Sequence, residues 1–587
     1  MQHERGQHER GQHERGQHEH GRGWARWGAA AGLSALLALT GAPGSEAAPP
    51  QGPTPGAVLR GEGSRDRLGE AEEGGPRVGA VDRRYSTPAA ARRTVHDEHA
   101  RHRHGSPDAG TSGTGTADAA TPAAGEVVLD PAVFGSWRRT SYPLPVRAIH
   151  ATLLRTGKVL LIAGSGNQSS VFEAGTFRAG LLDPSTGAYQ PVDPPHDMFC
   201  AGHAQLPNGN VLVVGGTRAY PSSTAGWKGS AKVYEFDVAT ARWIARPSMA
   251  HGRWYPSSVQ APSGHVWNFA GTDEAGRRNT RVERYTTTTG ALVAKPSWSL
   301  PQYPGLLWTA KDRVLYAGTR SSGASGQPGL YHPGTGAVQA VTGITQLSQR
   351  RAAATVLAGD ATTQRVLVLG GGWPATSSTS VVDLRPATPV GVAGPALATA
   401  KAYVGAVNLP TDGSVFQTGG GTGRDTPVFE SSVVRGSTVS SMAPNTVPRT
   451  YHSSTLLLPD GRVLTLGGDD AGEGFEMQVE VFSPPYLHRG SRPIVTAAPS
   501  RMVPGTAYTV TATAAGSTPV SAWLVRPSST THAVDPNQRA VRLPATRIAG
   551  GLRVTTPSRF LTPPGYHMLF VNDSLGRPSV ARWVRVG

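Results

Sequence analysis

The chain has 587 residues, 74 of them glycine and 48 proline, with a single cysteine. That length exceeds one ordinary domain and can bury sizeable cores, and the glycine and proline content points to many turns between short strands. One cysteine excludes a disulfide framework and any cysteine-built zinc site. Lys and Arg (56) outnumber Asp and Glu (40), giving +16, and the first 120 residues hold 15 of each sign, so the excess belongs to the remainder. No Arg/Lys cluster interleaved with aromatics accompanies that charge, so nucleic acid is not the expected partner. A solvated basic face and an exported protein near an anionic cell-envelope polymer are the two readings left.

Residues 2–16 repeat Gln-His-Glu-Arg-Gly three times. A weak metal-binding tract and an unstructured leader are both compatible with it. Arg22 and Arg26 then precede a short apolar run, 27–39, and a small-residue cleavage site at Ser45-Glu46-Ala47. This is the pattern of a signal peptide, with a retained N-terminal anchor as the alternative. Residues 1–47 are therefore expected to be a leader. Residues 48–128, rich in Pro, Gly, Ala, Thr and Arg, are expected to be a disordered linker, because they cannot bury enough apolar surface to fold alone.

From Phe134 one pattern recurs: an apolar run, a polar turn, then a second apolar run ending in glycine. The second runs are 158–164, 210–216, 265–271, 313–318, 365–371, 414–420 and 462–468. Seven copies about fifty residues apart have the kelch period. One such sheet is too small to bury its faces, whereas seven packed radially can. After about residue 490 the pattern changes to short alternating runs such as 508–513, 521–525 and 566–571. The expectation is an all-β protein: a seven-bladed kelch-type β-propeller over 129–490, followed by a C-terminal Ig-like β-sandwich of early-set type over 491–587.

In a propeller, the loops that open each blade converge on the axis. Blade two opens with His196-Asp197-Met198-Phe199-Cys200, blade three with Arg253-Trp254-Tyr255-Pro256 and blade seven with Thr450-Tyr451-His452-Ser453. Corresponding positions thus carry Cys, Tyr and Tyr-His, which are redox-active or metal-binding side chains. Adjacent strand residues point to opposite faces, so Tyr451 and His452 can serve one metal only where the backbone bends. Cys200 is expected to be either inertly buried or covalently committed to something other than a second cysteine.

These motifs, together with Thr531-His532-Ala533-Val534-Asp535-Pro536-Asn537-Gln538-Arg539, resemble the copper radical oxidases, the family of galactose oxidase and glyoxal oxidase, over residues 130–587. The pattern is most similar to bacterial glyoxal-oxidase-like enzymes. The resemblance implies a thioether between Cys200 and Tyr255, forming a protein-derived radical cofactor. It also implies one copper ion held by Tyr255, Tyr451, His452 and His532. His532 would arrive on a hairpin of the C-terminal domain threaded along the axis. A phenol and imidazoles are donors that divalent copper accepts. One copper supplies one electron and alcohol oxidation removes two, so a phenoxyl beside the metal can hold the second. Tyr451 would act as base toward the substrate.

Two departures matter. The position of galactose oxidase's N-terminal sugar-binding domain is taken here by the low-complexity tail. Where its radical-shielding tryptophan lies, this chain reads Thr289-Gly290-Ala291-Leu292, which leaves Trp254 as the expected substitute. The resemblance implies a secreted or envelope-associated, monomeric enzyme that oxidises primary alcohols or aldehydes, free or glycan-linked, with dioxygen and releases hydrogen peroxide. A propeller that only binds glycan or protein is the alternative, and it requires an unmodified Cys200 and no copper. A zinc or calcium hydrolase lacks a convergent carboxylate cluster. His203, His251, His265 and His567 are expected to be structural. Asp469 and Asp470 are expected to touch substrate or close a turn.

Overall fold

The computed structural model describes residues 128–423, 425–469 and 474–587. The expected leader, nearly all of the expected linker, and Asp470 lie outside the described residues.

Each of the seven glycine-terminated runs forms the second strand of its own antiparallel sheet. Val159–Gly164 and Val211–Gly215 are buried along their whole length, which explains their unbroken Val, Leu and Ile content. Full burial of each such side chain contributes about 1.5–3 kcal/mol. The terminal glycines have a steric role. Gly271 (φ +93°) and Gly467 (φ +70°) sit where a Cβ would stand 2.9 Å from the carbonyl oxygens of Trp254 and His452, respectively. The ends of these second strands therefore lie directly against the loops that open the sheets.

Six of the sheets draw their four repeat strands in chain order from one segment, with a short two-stranded hairpin inserted between the second and third strands of the second sheet and of the sixth. In the seventh sheet, Ser453–Leu457, Val463–Gly467 and Gln478–Ser483 are completed by Ser136–Pro143, which pairs with Gln478–Ser483 from the other end of the chain. The first sheet takes a fifth strand, Ser529–Thr531, antiparallel to His150–Leu153. From Ala201–Gln205 to Ser453–Leu457 the first strands of successive sheets are neighbours in sequence order, and Ser453–Leu457 also neighbours His150–Leu153. Ser529–Thr531 stands between His150–Leu153 and Ala201–Gln205.

The C-terminal part has two sheets. Ile494–Ala497, Ala507–Thr513, Gly551–Thr555 and Ala545–Ile548 form one, and Arg501–Met502, Arg582–Val586, Gly565–Asp573, Pro519–Val525 and Ala540–Arg542 form the other. Alternation along Pro519–Val525 divides its side chains between two cores. Ala522 and Leu524 pack with Val510 and Leu552 of the opposing sheet, while Trp523 and Val525 share a core with Leu153, Leu457 and Val463. The sandwich is thereby fixed to the repeat sheets by apolar packing, and its 529–531 strand is carried to a fixed place among their first strands. Among the described residues, no helix is long and apolar enough to cross a membrane.

Candidate metal centre

The loops that open the sheets share one backbone feature. Cys200, Tyr255, Tyr303, Ala352, Tyr403 and His452 all have positive φ, between 42° and 64°, one to three residues before a first strand. Left-handed backbone costs a non-glycine residue about 1–2 kcal/mol, so the surroundings must hold it. Backbone bonds link neighbouring loops: Tyr255 N–H donates to Cys200 O (3.0 Å), Tyr303 N–H to Tyr255 O (2.8 Å) and Tyr403 N–H to Ala352 O (2.7 Å). A buried cation two or three residues upstream ties several loops to their own sheets. Arg253, Arg350 and Arg449 donate to the carbonyls of Ala270, Gly370 and Gly467, and Lys401 to that of Glu430. Arg253 also pairs with Glu283 at 2.9 Å. Arg253 stands in a motif quoted above and Arg449 directly before another, but nothing local in sequence distinguishes this bracing role.

The bend required for Tyr451 and His452 to act together is present. His452 has φ +64°, directly before strand Ser453–Leu457, and the two rings stack at 3.8 Å instead of diverging. On the C-terminal side, Thr531 and Val534 exchange both backbone bonds (3.1 and 2.7 Å) across a two-residue turn. Both turn residues, His532 (φ 51°) and Ala533 (φ 63°), are left-handed, as in a type I′ hairpin, which places the His532 imidazole at the tip.

The four ligands expected from the resemblance, and Cys200, meet at one buried point. Ligand atoms of Cys200, His452 and His532 lie within 4.8 Å of one another, forming a copper-binding site. The Tyr255 and Tyr451 hydroxyls are in direct contact, and His532 Nε2 is 3.2 Å from the Tyr255 oxygen. The tautomers follow from the partners. His452 Nδ1 is 2.7 Å from Asp469 Oδ1, and a carboxylate accepts, so Nδ1 carries the proton. The Thr531 hydroxyl donates to Ile149 O (3.1 Å), which leaves its oxygen to accept from His532 Nδ1 at 2.6 Å. Both imidazoles therefore turn an Nε2 lone pair into the centre, and that of His452 has no hydrogen-bond partner. Burial, reinforced by the His452, His150 and His203 imidazoles, holds the His532 pKa well below the usual histidine range, keeping it neutral. Two imidazoles with Nε2 turned inward and two adjacent phenols suit copper, whereas a hard cation prefers oxygen donors alone.

The Trp254 indole covers Tyr255 at 3.8 Å and 11°. Tyr303 and Trp227 complete this aromatic shell: Tyr303 lies 4.5 Å from both Tyr255 and His532, and Trp227 lies 4.7 Å from Trp254. Neither was marked by its local sequence. Asp469, expected to touch substrate or close a turn, holds His452 Nδ1 at 2.7 Å. His251 pairs with Glu274, His265 contacts Thr287, and His567 is buried near Gly565 O, all outside the cluster. His203 is buried against Ser529 (2.6 Å) and His150, and burial lowers its pKa to about 4.

Residues 492–586 match the family described as galactose oxidase-like, Early set domain. Galactose oxidase of Gibberella zeae is 30% identical over 498 residues, covering 77% of this chain and 70% of the relative. Aldehyde oxidase GLOX of Vitis pseudoreticulata is 34% identical over 166 residues, covering 25% of this chain and 31% of the relative. A solved fungal alcohol oxidase of the AA5 family superposes with a TM-score of 0.66 at 23% identity, across 77% of this chain and 99% of that one, and shares the fold. With 30% identity to galactose oxidase across 77% of this chain, and with Cys200, His452 and His532 gathered in one copper-binding cluster, the chain belongs to the galactose oxidase family of copper radical oxidases.

Proposed function

We propose that the enzyme oxidises primary alcohols or aldehydes with dioxygen, giving an aldehyde or acid and hydrogen peroxide. One observation carries this reading: two phenol oxygens and two imidazole Nε2 lone pairs converge on one buried point, with Cys200 beside it. In this reading Tyr255, Tyr451, His452 and His532 hold one copper ion, and a Cys200–Tyr255 thioether makes Tyr255 the radical site. Copper bound there supplies a one-electron couple and a Lewis-acidic contact for an alcohol oxygen. Tyr451 takes the hydroxyl proton. Tyr255, as a phenoxyl, takes a hydrogen atom from the substrate carbon, and stacked Trp254 keeps water from the radical, as the family's shielding tryptophan would. The balance for an alcohol is RCH2OH + O2 → RCHO + H2O2. We also read the seven sheets as the blades of one propeller, supported by the cyclic neighbourhood of their first strands. An exported location is supported by the signal-peptide pattern before residue 47.

The test is a peroxide assay on copper-loaded protein across small aldehydes, primary alcohols, sugars and polysaccharides. Peroxide in equal amount to oxidised product is expected with at least one class. Silence across the panel, with copper bound and the cross-link present, would sink the reading. A second result is expected from Asp469→Asn. An amide still reaches His452 but holds its Nδ1 proton less strongly, so copper affinity should fall by about 10–100-fold. Copper titration by calorimetry checks this, and unchanged affinity would remove Asp469 from the centre.

A further inference from the structure

The radical site is the inner end of a continuous file of rings. From Tyr255 it passes to Trp254 (3.8 Å, 11°), to Trp227 (4.7 Å, 7°) and to Tyr220 (4.4 Å, 52°). Burial falls along the file: Tyr255 and Trp254 are buried, whereas Trp227 and Tyr220 are partly exposed. Tyr220 and Trp227 are the first and last residues of the loop that joins Thr217–Ala219 to Lys228–Gly229, a short hairpin inserted between the second and third strands of the second sheet. That insertion is anchored to the third sheet's opening loop by Arg253 N–H to Ser230 O (2.9 Å) and to the turn after that sheet's second strand by Gly229 N–H to Asp273 O (2.9 Å).

The outer end is equipped to move a proton. The Tyr220 hydroxyl is 2.8 Å from Ser165 Oγ, and Ser165 donates its own proton to Asp197 Oδ2 at 2.7 Å. With its hydrogen committed, the Ser165 oxygen accepts, so the Tyr220 proton points along a line that ends on a carboxylate. Asp197 is held in place by the Ser165 and Phe199 amides (2.7 and 2.9 Å). Burial raises its pKa to about 6, so it can take up a proton near neutrality. Asp197 has no part in the copper chemistry proposed above, although it lies within the His196-to-Cys200 motif. By contrast, the buried Nε1 of Trp254 has no acceptor, so an oxidised Trp254 cannot lose its proton and must pass the charge on.

We propose that Tyr220 is a second redox-active phenol, at which a one-electron outer-sphere acceptor converts the resting enzyme to its radical form, with Trp227 and Trp254 carrying the electron outward from Tyr255. In the first step Tyr220 loses an electron to the acceptor and its proton, through Ser165, to the Asp197 carboxylate. In the second, the Tyr220 phenoxyl takes an electron from the Tyr255 phenolate through the two indoles and recovers its proton from Asp197. The sum is one electron moved from the Tyr255 phenolate to the acceptor, with Tyr220 and Asp197 restored. This rests on the reading of Tyr255 as the radical site.

The test uses copper-loaded, cross-linked full-length enzyme, first reduced and then mixed with hexacyanoferrate(III), following phenoxyl absorption by stopped flow. Trp227→Phe and Tyr220→Phe should each slow radical appearance by about tenfold or more, and oxidisable Trp227→Tyr should stay within about threefold of the parent. Copper content, melting temperature and final radical yield should be unchanged in all three, which separates a relay from a packing role. Parental rates in both Phe variants would overturn the relay while leaving Tyr255 as the radical site. If the parent forms no oxidised species that Tyr255→Phe lacks, the radical-site reading fails and the relay with it.

Discussion

Protein matured with copper and dioxygen is expected to weigh about two mass units less than protein produced without copper, the loss being one hydrogen each from Cys200 and the Tyr255 ring. The carbon–sulfur bond replaces S–H and C–H, and the two hydrogens leave on dioxygen as peroxide. The fold prepares this coupling. Cys200 and Tyr255 open adjacent sheets, both are left-handed, and Tyr255 N–H donates to Cys200 O at 3.0 Å. Both side chains are buried in one aromatic cluster with Trp254, Phe199 and Tyr303. A peptide map should show the two segments joined and resistant to reductant. Cys200→Ala removes one small buried side chain, so a stability cost of about 1–2 kcal/mol is expected and the fold should persist. Turnover should drop by on the order of a hundredfold, because an unmodified phenol is harder to oxidise. An unshifted mass with an alkylatable Cys200 would contradict the cross-link. Cys200 would then be left as a thiol beside two imidazoles, a His2Cys set associated with electron transfer rather than alcohol oxidation.

His532→Gly should lower copper affinity by about a hundredfold or more, since it removes one of the two imidazoles that face the buried centre. Glycine is preferable to alanine here because His532 has φ 51° at the hairpin tip, where glycine relaxes the backbone instead of straining it. The turn bonds between Thr531 and Val534 do not involve the side chain, so the hairpin should survive. Packing of Trp523, Val525, Met568 and Phe570 against Leu153 and Leu457 is remote from the substitution, and the melting temperature of the metal-free protein should be unchanged. Calorimetric titration of copper into the parent and the variant, with circular dichroism as the control for folding, measures the loss. Unchanged affinity would remove the C-terminal domain from the centre.

The sequence by itself determined the elements. The glycine-terminated runs are strands because an apolar stretch bounded by a polar turn and a glycine is a local signal, complete within about a dozen residues. The same holds for 508–513, 521–525 and 566–571, which fall within Ala507–Thr513, Pro519–Val525 and Gly565–Asp573. Cys200, Tyr255, Tyr451 and His452 were legible as candidates because they stand at corresponding places before the runs, whereas His532 was identified through the resemblance alone. Their joint role was legible only through resemblance, since nothing in 200, 255, 451 and 532 as spacings makes them neighbours.

Only the tertiary structure decided how those side chains are aimed. The Tyr451-His452 pair acts on one point because His452 is left-handed, a backbone state no residue type there announces. The lone pair of His452 faces inward because Asp469, across the adjoining hairpin, holds the other nitrogen, and that of His532 because Thr531 is committed to Ile149, distant in sequence but beside the strand it pairs with. Ser136–Pro143 joins Gln478–Ser483 from the far end of the chain, and Trp227 reaches Trp254 from a different sheet. Each of these is a contact between segments far apart in sequence, whose formation depends on the packing of whole sheets. Local propensity fixes which residues are strands and turns; it carries no information about which strand lies beside which, or about which nitrogen faces the metal.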